Sequence, residues 1–501
     1  MCKRSAVLLK RWWVSVAANA LRHALNSVIA SATDAFWDER GVCSLCLGAL
    51  ERIDDHVNNV LKAAASYAPR GATGASRQVL RECAPAVELS LTVPATLLIR
   101  HTAAVETFDG EPTVACAHGA KDALRMMLHH SLGLDEFFGE DHENVGRRVL
   151  KTLTISVNVE APNQDDEIEA LPRRLQPQPP RPTRSRRGAN KRRRTEIAMP
   201  PGRVADALTR LSNAERSSLA TRLFAQTRPP AELRPVFVQA SCARESVYVV
   251  GRYRKLSRVM PQTPWTVEGR RKGVSSVEEV LAEAIRPAFT SVGAIKFLAS
   301  GREDCDVRML GPGRPFGVEV VDPRALAGDA FSCAQVAAAV SRISTALKAP
   351  VEAVDLRVAD KAAVVAVDAS AGTKRKTYAC VIWVERPLET SDASEIAAIS
   401  NLEVAQKTPV RVMHTRSLAT RIRVVHKMEL NAYNSHFGVL HITTAAGMYI
   451  KEFVHGDFGR TTPSLGDLLG TRADILQLDV VDIELDEDPQ PHPDAQSNFA
   501  S

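Results

Sequence analysis

Two hydrophobic periods alternate along the chain. In the first, apolar residues recur every three or four positions. Ser276 precedes Glu279 at the S-x-x-E spacing of a capping box, and Val280, Leu281, Ala284 and Ile285 follow on one face, which predicts a helix from Val277 to Phe289. Similar stretches predict helices over Ile53 to Tyr67, Ala120 to His130, Cys333 to Leu347 and Tyr449 to Val454. In the second, β-branched residues alternate or run together. That pattern predicts strands over Val87 to Arg100 with an interruption at Pro94, then over Leu150 to Val159, Val318 to Val321, Ala362 to Val367, Ala379 to Val384, Ile422 to Val425 and Val439 to Thr443. Helices and strands mixed in this order predict an α+β (mixed α/β) fold.

Polar composition divides the chain. From Pro162 to Asn190 it carries Pro172, Pro177, Pro179, Pro180 and Pro182, many arginines and almost nothing apolar, so this stretch buries no core and reads as a linker. The expected organisation is a basic extension at 1–40, an accessory domain at 41–161, a basic Pro/Arg-rich linker at 162–200, a larger globular region at 201–488 and a loose polar tail at 489–501. With 501 residues, 45% of them hydrophobic, two or three cored domains are expected. No uninterrupted apolar run is long enough to cross a bilayer, so a membrane enzyme is not expected. No repeated interface pattern is visible, and a monomer is the expectation.

Charge adds a partner class. The net charge is a modest +6, but ten Lys or Arg residues and no acid fall between Leu171 and Arg194. Such a concentration suits a polyanion better than a small neutral substrate. The tetrad Lys191-Arg192-Arg193-Arg194 reads equally as a nuclear-import address, an RNA-backbone contact or a solvated linker. Lys3, Arg4, Lys10, Arg11 and Arg22 precede the first acid, Asp34, so the N-terminus reads as a basic amphipathic helix or an organellar presequence. Nucleus or cytoplasm is the expected compartment, with an organelle as the alternative. Nine cysteines are too sparse for a disulfide scaffold.

The densest polar segment runs from Gly301 through Arg302, Glu303, Asp304, Cys305, Asp306 and Arg308 to Gly311 and Gly313. Carboxylates and guanidiniums bracketed by glycines describe either a structural ion-pair loop or a pocket loop that holds one carboxylate ionised. No metalloprotease, Walker or Rossmann spacing accompanies them. A metal-dependent hydrolase built on Asp304 and Asp306 is disfavoured, because the adjacent arginines compete with a cation.

The segment "SGREDCDVRMLGPGRPFGVEV" resembles the catalytic signature of the tRNA pseudouridine synthase 10 family. So do "VVGRYRKLSRVMPQTPW" (Val249 to Trp265), "QKTPVRVMHTRSLATRIRVVH" (Gln406 to His426) and "AGMYIKEFVHGDFGRTTPSLGDLLGTRADILQLDV" (Ala446 to Val480). The resemblance implies a pseudouridine-synthase-type catalytic domain within 201–488 and a THUMP-like N-terminal accessory domain. It implies isomerisation of T-loop uridines of tRNA, at uridine 54, uridine 55 or both, without an organic cofactor. Asp304 would attack the nucleotide, Lys451 would be its cationic partner, and Tyr378 would lie against the target base. Arg302 would brace the loop or touch phosphate. Arg252, Tyr253, Lys255 and Arg258 form one expected substrate track, with Tyr253 as its stacking platform, and Arg411, Arg416 and Arg421 a second. Met448 stands where the family carries threonine, so no hydroxyl is available there. Cys43 and Cys46 make half of a zinc signature, which Cys116 and His118 would complete as a tetrahedral structural site; ordinary buried cysteines are the alternative. The expected partner is tRNA, with other structured RNA as a second class. A noncatalytic RNA-binding or small-RNA-processing factor is the alternative function.

Overall fold

The computed structural model describes residues 52–68, 80, 87–100, 120–134, 149–161, 171–172, 201–224, 236–328, 331–369, 372, 374–414 and 416–484. The extension 1–40, the basic tetrad and the tail 489–501 lie outside them. The chain divides into two compact units, Met1–Asn144 with Lys151–Arg244, and Val145–Leu150 with Glu245–Ser501.

The described part of the first unit contains α1 (Ile53–Ala65), β1 (Val87–Thr92), α2 (Ala120–Leu132), β2 (Leu153–Glu160), α3 (Pro201–Thr209), α4 (Asn213–Phe224) and β3 (Phe237–Arg244). Strand β2 pairs in parallel with β1 and antiparallel with β3. Its period of two sends Leu153, Ile155, Val157 and Val159 into one core with Val60, Leu61 and Leu128. The strand expected from Val87 to Arg100 ends at Thr92, and residues 95–100 are helical. Pro94 lacks an N–H for the ladder but suits the first turn of a helix. The expected boundary at 201 moves to 245. Val204, Leu208, Leu211 and Leu219 close a small core with Ile99 and Leu171, and Phe237 to Arg244 hydrogen-bonds along Leu153 to Glu160.

The second unit runs β4 (Val247–Lys255), β5 (Trp265–Val267), β6 (Arg270–Lys272), α5 (Val277–Ile285), β7 (Ala294–Ala299), β8 (Arg308–Val321), α6 (Cys333–Ala346), β9 (Val351–Ala359), α7 (Lys361–Ala369), β10 (Lys376–Val384), α8 (Thr390–Ala398), β11 (Ser400–Lys407), β12 (Thr420–Ala432), β13 (Phe437–Thr444), α9 (Ile450–His455), β14 (Thr461–Thr462), α10 (Leu465–Leu469) and β15 (Ala473–Ile483). Ten strands make one mixed sheet in the order β14-β11-β12-β13-β10-β15-β8-β4-β9, with β7 on β8. Its two halves meet where β15 and β8 run parallel, and only Asp479–Arg308 and Val480–Met309 pair there. Gly311 permits that seam: a Cβ at this position would stand 1.9 Å from the Val481 carbonyl oxygen, and its φ is +57°.

Helix α5 begins as its sequence predicts. The Ser276 hydroxyl accepts the Glu279 N–H at 3.3 Å, and Val280, Leu281, Ala284 and Ile285 are buried. It stops at Ile285, short of Phe289, because Pro287 converts the last turn to 3-10 geometry. The predicted strand Ala362 to Val367 is instead helix α7. Asp360 Oδ1 accepts the Ala363 N–H at 2.8 Å, an N-cap that outweighs the β-branched run. Gly317 on β8 lets Val364 of this helix press directly onto the sheet.

Candidate active site

The loop 300–307 joins β7 to β8 and delivers its residues to the seam between the half-sheets. Beneath it lies a buried ion pair. Arg314 Nε donates to Glu303 Oε2 at 2.7 Å, with both side chains 1% exposed, and Arg314 Nη1 donates to the Ser300 carbonyl at 2.7 Å. The Tyr253 hydroxyl donates to the Glu303 carboxylate at 2.9 Å and accepts from Gln262 Nε2 at 2.8 Å. Burial, reinforced by the Glu303 charge, holds the Tyr253 phenol well above its usual range. From a second direction Lys255 Nζ donates to three carbonyls, those of Met260, Asp304 and Cys305, at 2.9, 3.0 and 2.9 Å. Burial pushes the Lys255 ammonium down. Glu303 and Val307 point inward, so Asp304 between them is turned outward.

Two cations from other segments meet Asp304. Arg411 Nη1 lies 3.0 Å and Lys451 Nζ 3.4 Å from its Oδ2. Lys451 is shared: it stands 2.7 and 3.0 Å from the oxygens of Asp306. Partial burial pushes the Asp306 carboxyl up, but the Lys451 hydrogen bond and charge outweigh it and hold it below the ordinary carboxylate range. Arg411 Nε donates to Glu452 Oε1 at 2.7 Å, and Glu452 is 1% exposed. Burial disfavours the Arg411 cation, yet the hydrogen bond and charge of Glu452, with Asp304, hold it more firmly protonated than usual. The Gln406 amide fixes the start of α9 by donating to the Tyr449 carbonyl at 2.9 Å and accepting the Tyr449 N–H at 3.0 Å.

The structure therefore gathers Asp304, Lys451 and Arg411, and buries several of the other expected site residues. Tyr253 and Lys255 are 0% exposed, so neither a stacking platform nor a phosphate contact is available there; both brace the loop. Arg258 is also a strut, donating to the Asp306 and Leu478 carbonyls and lying 2.7 Å from Asp479. Arg252 is largely covered, with Nη1 3.4 Å from the Gly313 carbonyl. Arg302 and Arg416 are exposed, and Arg421 is half-buried against Thr408 and Ser417. Tyr378, on β10, is 8% exposed and makes no hydrogen bond to Asp304. Burial pushes its phenol up to about 12, against the pull of Arg314. Met448 is buried in the core. Glu303, Arg314, Gln262 and Glu452 were not singled out in the sequence. Only the charge density around Glu303 hinted at paired groups, and nothing near Glu452 marked it as buried.

The expectation of structural zinc is corrected. Among the described residues no group of three or more His, Cys, Asp or Glu is placed to hold a metal ion. Cys43, Cys46, Cys116 and His118 lie outside the described residues. Among the described residues, too, no helix is long and apolar enough to cross a membrane.

A solvent-facing aspartate clamped by cations from two distant segments, at the seam of a mixed sheet, defines a mixed α/β domain with a carboxylate-centred site. Residues 248–484 match the family model described as "Pus10, C-terminal". Over 252 residues the chain is 42% identical to "tRNA pseudouridine synthase Pus10" of Xenopus laevis, covering 50% of this chain and 48% of that protein. It is 41% identical over 252 residues to the protein of that name from Homo sapiens, covering 50% and 47%. With that from Thermofilum pendens it shares 36% identity over 240 residues, covering 48% and 52%. Through this region the chain is similar to the C-terminal part of the Pus10 family. It spans about half the length of the curated relatives it matches.

Proposed function

We propose that this protein is a tRNA pseudouridine synthase that isomerises T-loop uridines, at uridine 54, uridine 55 or both, with Asp304 as the attacking carboxylate. The observation that carries this reading is Asp304 itself, turned to solvent on a rigid loop and held by Arg411 and Lys451. The reaction exchanges the N1–C1′ bond of uridine for a C5–C1′ bond; C5 loses a proton and N1 gains one, so no redox equivalent or group donor is needed. A carboxylate serves such a reaction either as a nucleophile at the sugar or by assisting elimination across it. Two cations orient Asp304 while the target base is extruded from its stack. Tyr378, its phenol neutral at physiological pH, acts as a stacking surface and proton donor beside the base. The first unit serves as a THUMP-like accessory RNA-binding module, and recognition of the folded tRNA rests mainly on shape and backbone.

The test is site-resolved pseudouridine mapping on unmodified tRNA incubated with the wild-type protein and with Asp304→Asn. Conversion in the T-loop by the wild type alone supports the reading. A folded wild type that binds tRNA without converting it would move the protein to a noncatalytic RNA-binding role.

A further inference from the structure

Phe458 is 95% exposed, the most exposed of the large apolar side chains among the described residues. It sits in the turn Gly456–Gly459, directly after α9, and its backbone is left-handed, with φ +58° and ψ +39°. Asp457 before it is left-handed as well, with φ +46° and ψ +50°. Two successive non-glycine residues in this region are costly, and for a bulky aromatic the conformation is a genuine outlier. The ring gains no burial within the chain to offset that cost.

The turn is nevertheless fixed. The Asp457 side chain is buried; its Oδ2 accepts the Val410 N–H at 3.3 Å and lies 3.5 Å from Arg460 Nε. The Asp457 N–H donates to His455 Nδ1 at 3.0 Å, and Arg460 Nη2 donates to the Thr408 carbonyl at 2.8 Å. Anchored in this way, the turn holds a flat apolar ring out in solvent. Val410, to which it is tied, precedes Arg411, and Arg411 touches Asp304. In the described residues of 405–416 and 455–462, the charged side chains that reach solvent are Lys407, Arg411, Arg416 and Arg460, with the histidines His414 and His455; the acid, Asp457, is buried. An exposed aromatic face among cations is the pairing that binds unstacked bases and their phosphates; the acid of these two segments is buried, and the solvent-facing carboxylate that Arg411 meets is Asp304 of the site itself.

We infer that Phe458 is a base-stacking site: a nucleobase of the RNA strand beside the extruded nucleotide stacks on its ring while the neighbouring cations hold the phosphates. This rests on the RNA-substrate reading above and adds to it a specific contact. A protein partner would use the same ring without the cations, so RNA is the favoured occupant.

The experiment measures binding and turnover separately, with unmodified tRNA transcript as the probe. Phe458→Ala and Phe458→Asn both remove the ring, and asparagine tolerates the left-handed backbone. Both should raise Kd and KM about tenfold, as expected for the loss of one base–aromatic stack, with an unchanged thermal midpoint. Phe458→Tyr should restore wild-type affinity. Phe458→Trp should add tRNA-dependent fluorescence quenching beyond that of the wild-type tryptophans. A Kd within twofold of wild type in both ring-deleting variants, with no added quenching, overturns the inference and leaves the ring to a protein partner. The Kd is read without turnover, so a wild type that binds tRNA but forms no pseudouridine defeats the proposed function while the Phe458 variants still decide this contact.

Discussion

Arg411 donates to Asp304 across 3.0 Å although 107 positions separate them in sequence. Its other side is held by Glu452, which offers Oε1 at 2.7 Å and keeps Oε2 buried without a partner. The carboxylate that faces solvent is thus oriented by one that does not. Glu452→Gln preserves the shape but removes the charge from the Arg411 contact, and a buried hydrogen bond to a charged group is worth about 1.5–3 kcal/mol. If Arg411 orients Asp304 for attack, kcat on unmodified tRNA should fall roughly ten- to hundredfold, with KM little changed. A variant that stays folded and keeps the wild-type kcat would show that Arg411 does not need its buried partner.

Lys255 gives a prediction of the opposite kind. Lys255→Met fills the space of the alkyl chain but leaves the carbonyls of Asp304 and Cys305 without their donor. Each buried carbonyl left unpaired costs about 1–3 kcal/mol, partly offset by not having to bury the ammonium. The urea midpoint should fall and kcat with it, while the slope of log Kd against log salt for tRNA should stay at the wild-type value. A phosphate contact would lower that slope by about one. A shallower salt dependence with unchanged stability would return Lys255 to the RNA surface.

The Glu303–Arg314 pair has no solvent to fall back on. Glu303→Gln leaves Arg314 charged and buried, a change expected to destabilise by about 3–5 kcal/mol. The double variant Glu303→Gln, Arg314→Met removes both charges and should recover a large part of the loss. Denaturant unfolding of the two variants decides the point: equal midpoints would mean that the stranded arginine is not the cost.

The residues of the site also show where the sequence is legible. Asp304 and Lys451 lie in segments whose resemblance extends over long ordered stretches, and both come together at the site. Tyr253 and Lys255 are buried, yet tyrosine and lysine amid arginines look like an RNA track. The period of β4 argued otherwise: Val247, Val249, Tyr253 and Lys255 share one parity, and that face is buried, while Arg252 and Arg254 share the other. The partnership of Arg411 with Asp304 left no such trace, since it depends on how β11, α9 and the 300–307 loop meet in space. The same holds for the domain boundary, which is fixed by pairing between Phe237–Arg244 and Leu153–Glu160. The run Ala362 to Val367 failed for a local reason, as six apolar residues have no period to separate strand from helix and Asp360 decides.

Lys376 supplies a pH signature for the same region. It is 7% exposed on β10, with its Cε beside Gly301, and burial together with the neighbouring Arg314 charge lowers its ammonium to about 8. In the unfolded chain the same lysine keeps its proton to the usual range above 10. Between pH 8 and 10 the unfolded state therefore binds more protons than the fold, and this lysine makes stability rise with pH by up to about 1.4 kcal/mol per unit. Above pH 10 the direction reverses through Tyr253 and Tyr378, whose phenols burial raises, because the unfolded chain then loses protons first. Urea midpoints of the wild type and of Lys376→Met, compared at pH 7, 8, 9 and 10, isolate the lysine from every other titrating group. The wild type should gain on the variant between pH 8 and 10 and not between pH 7 and 8. Parallel curves across the whole range would place the Lys376 ammonium in contact with water or with a carboxylate that compensates its burial.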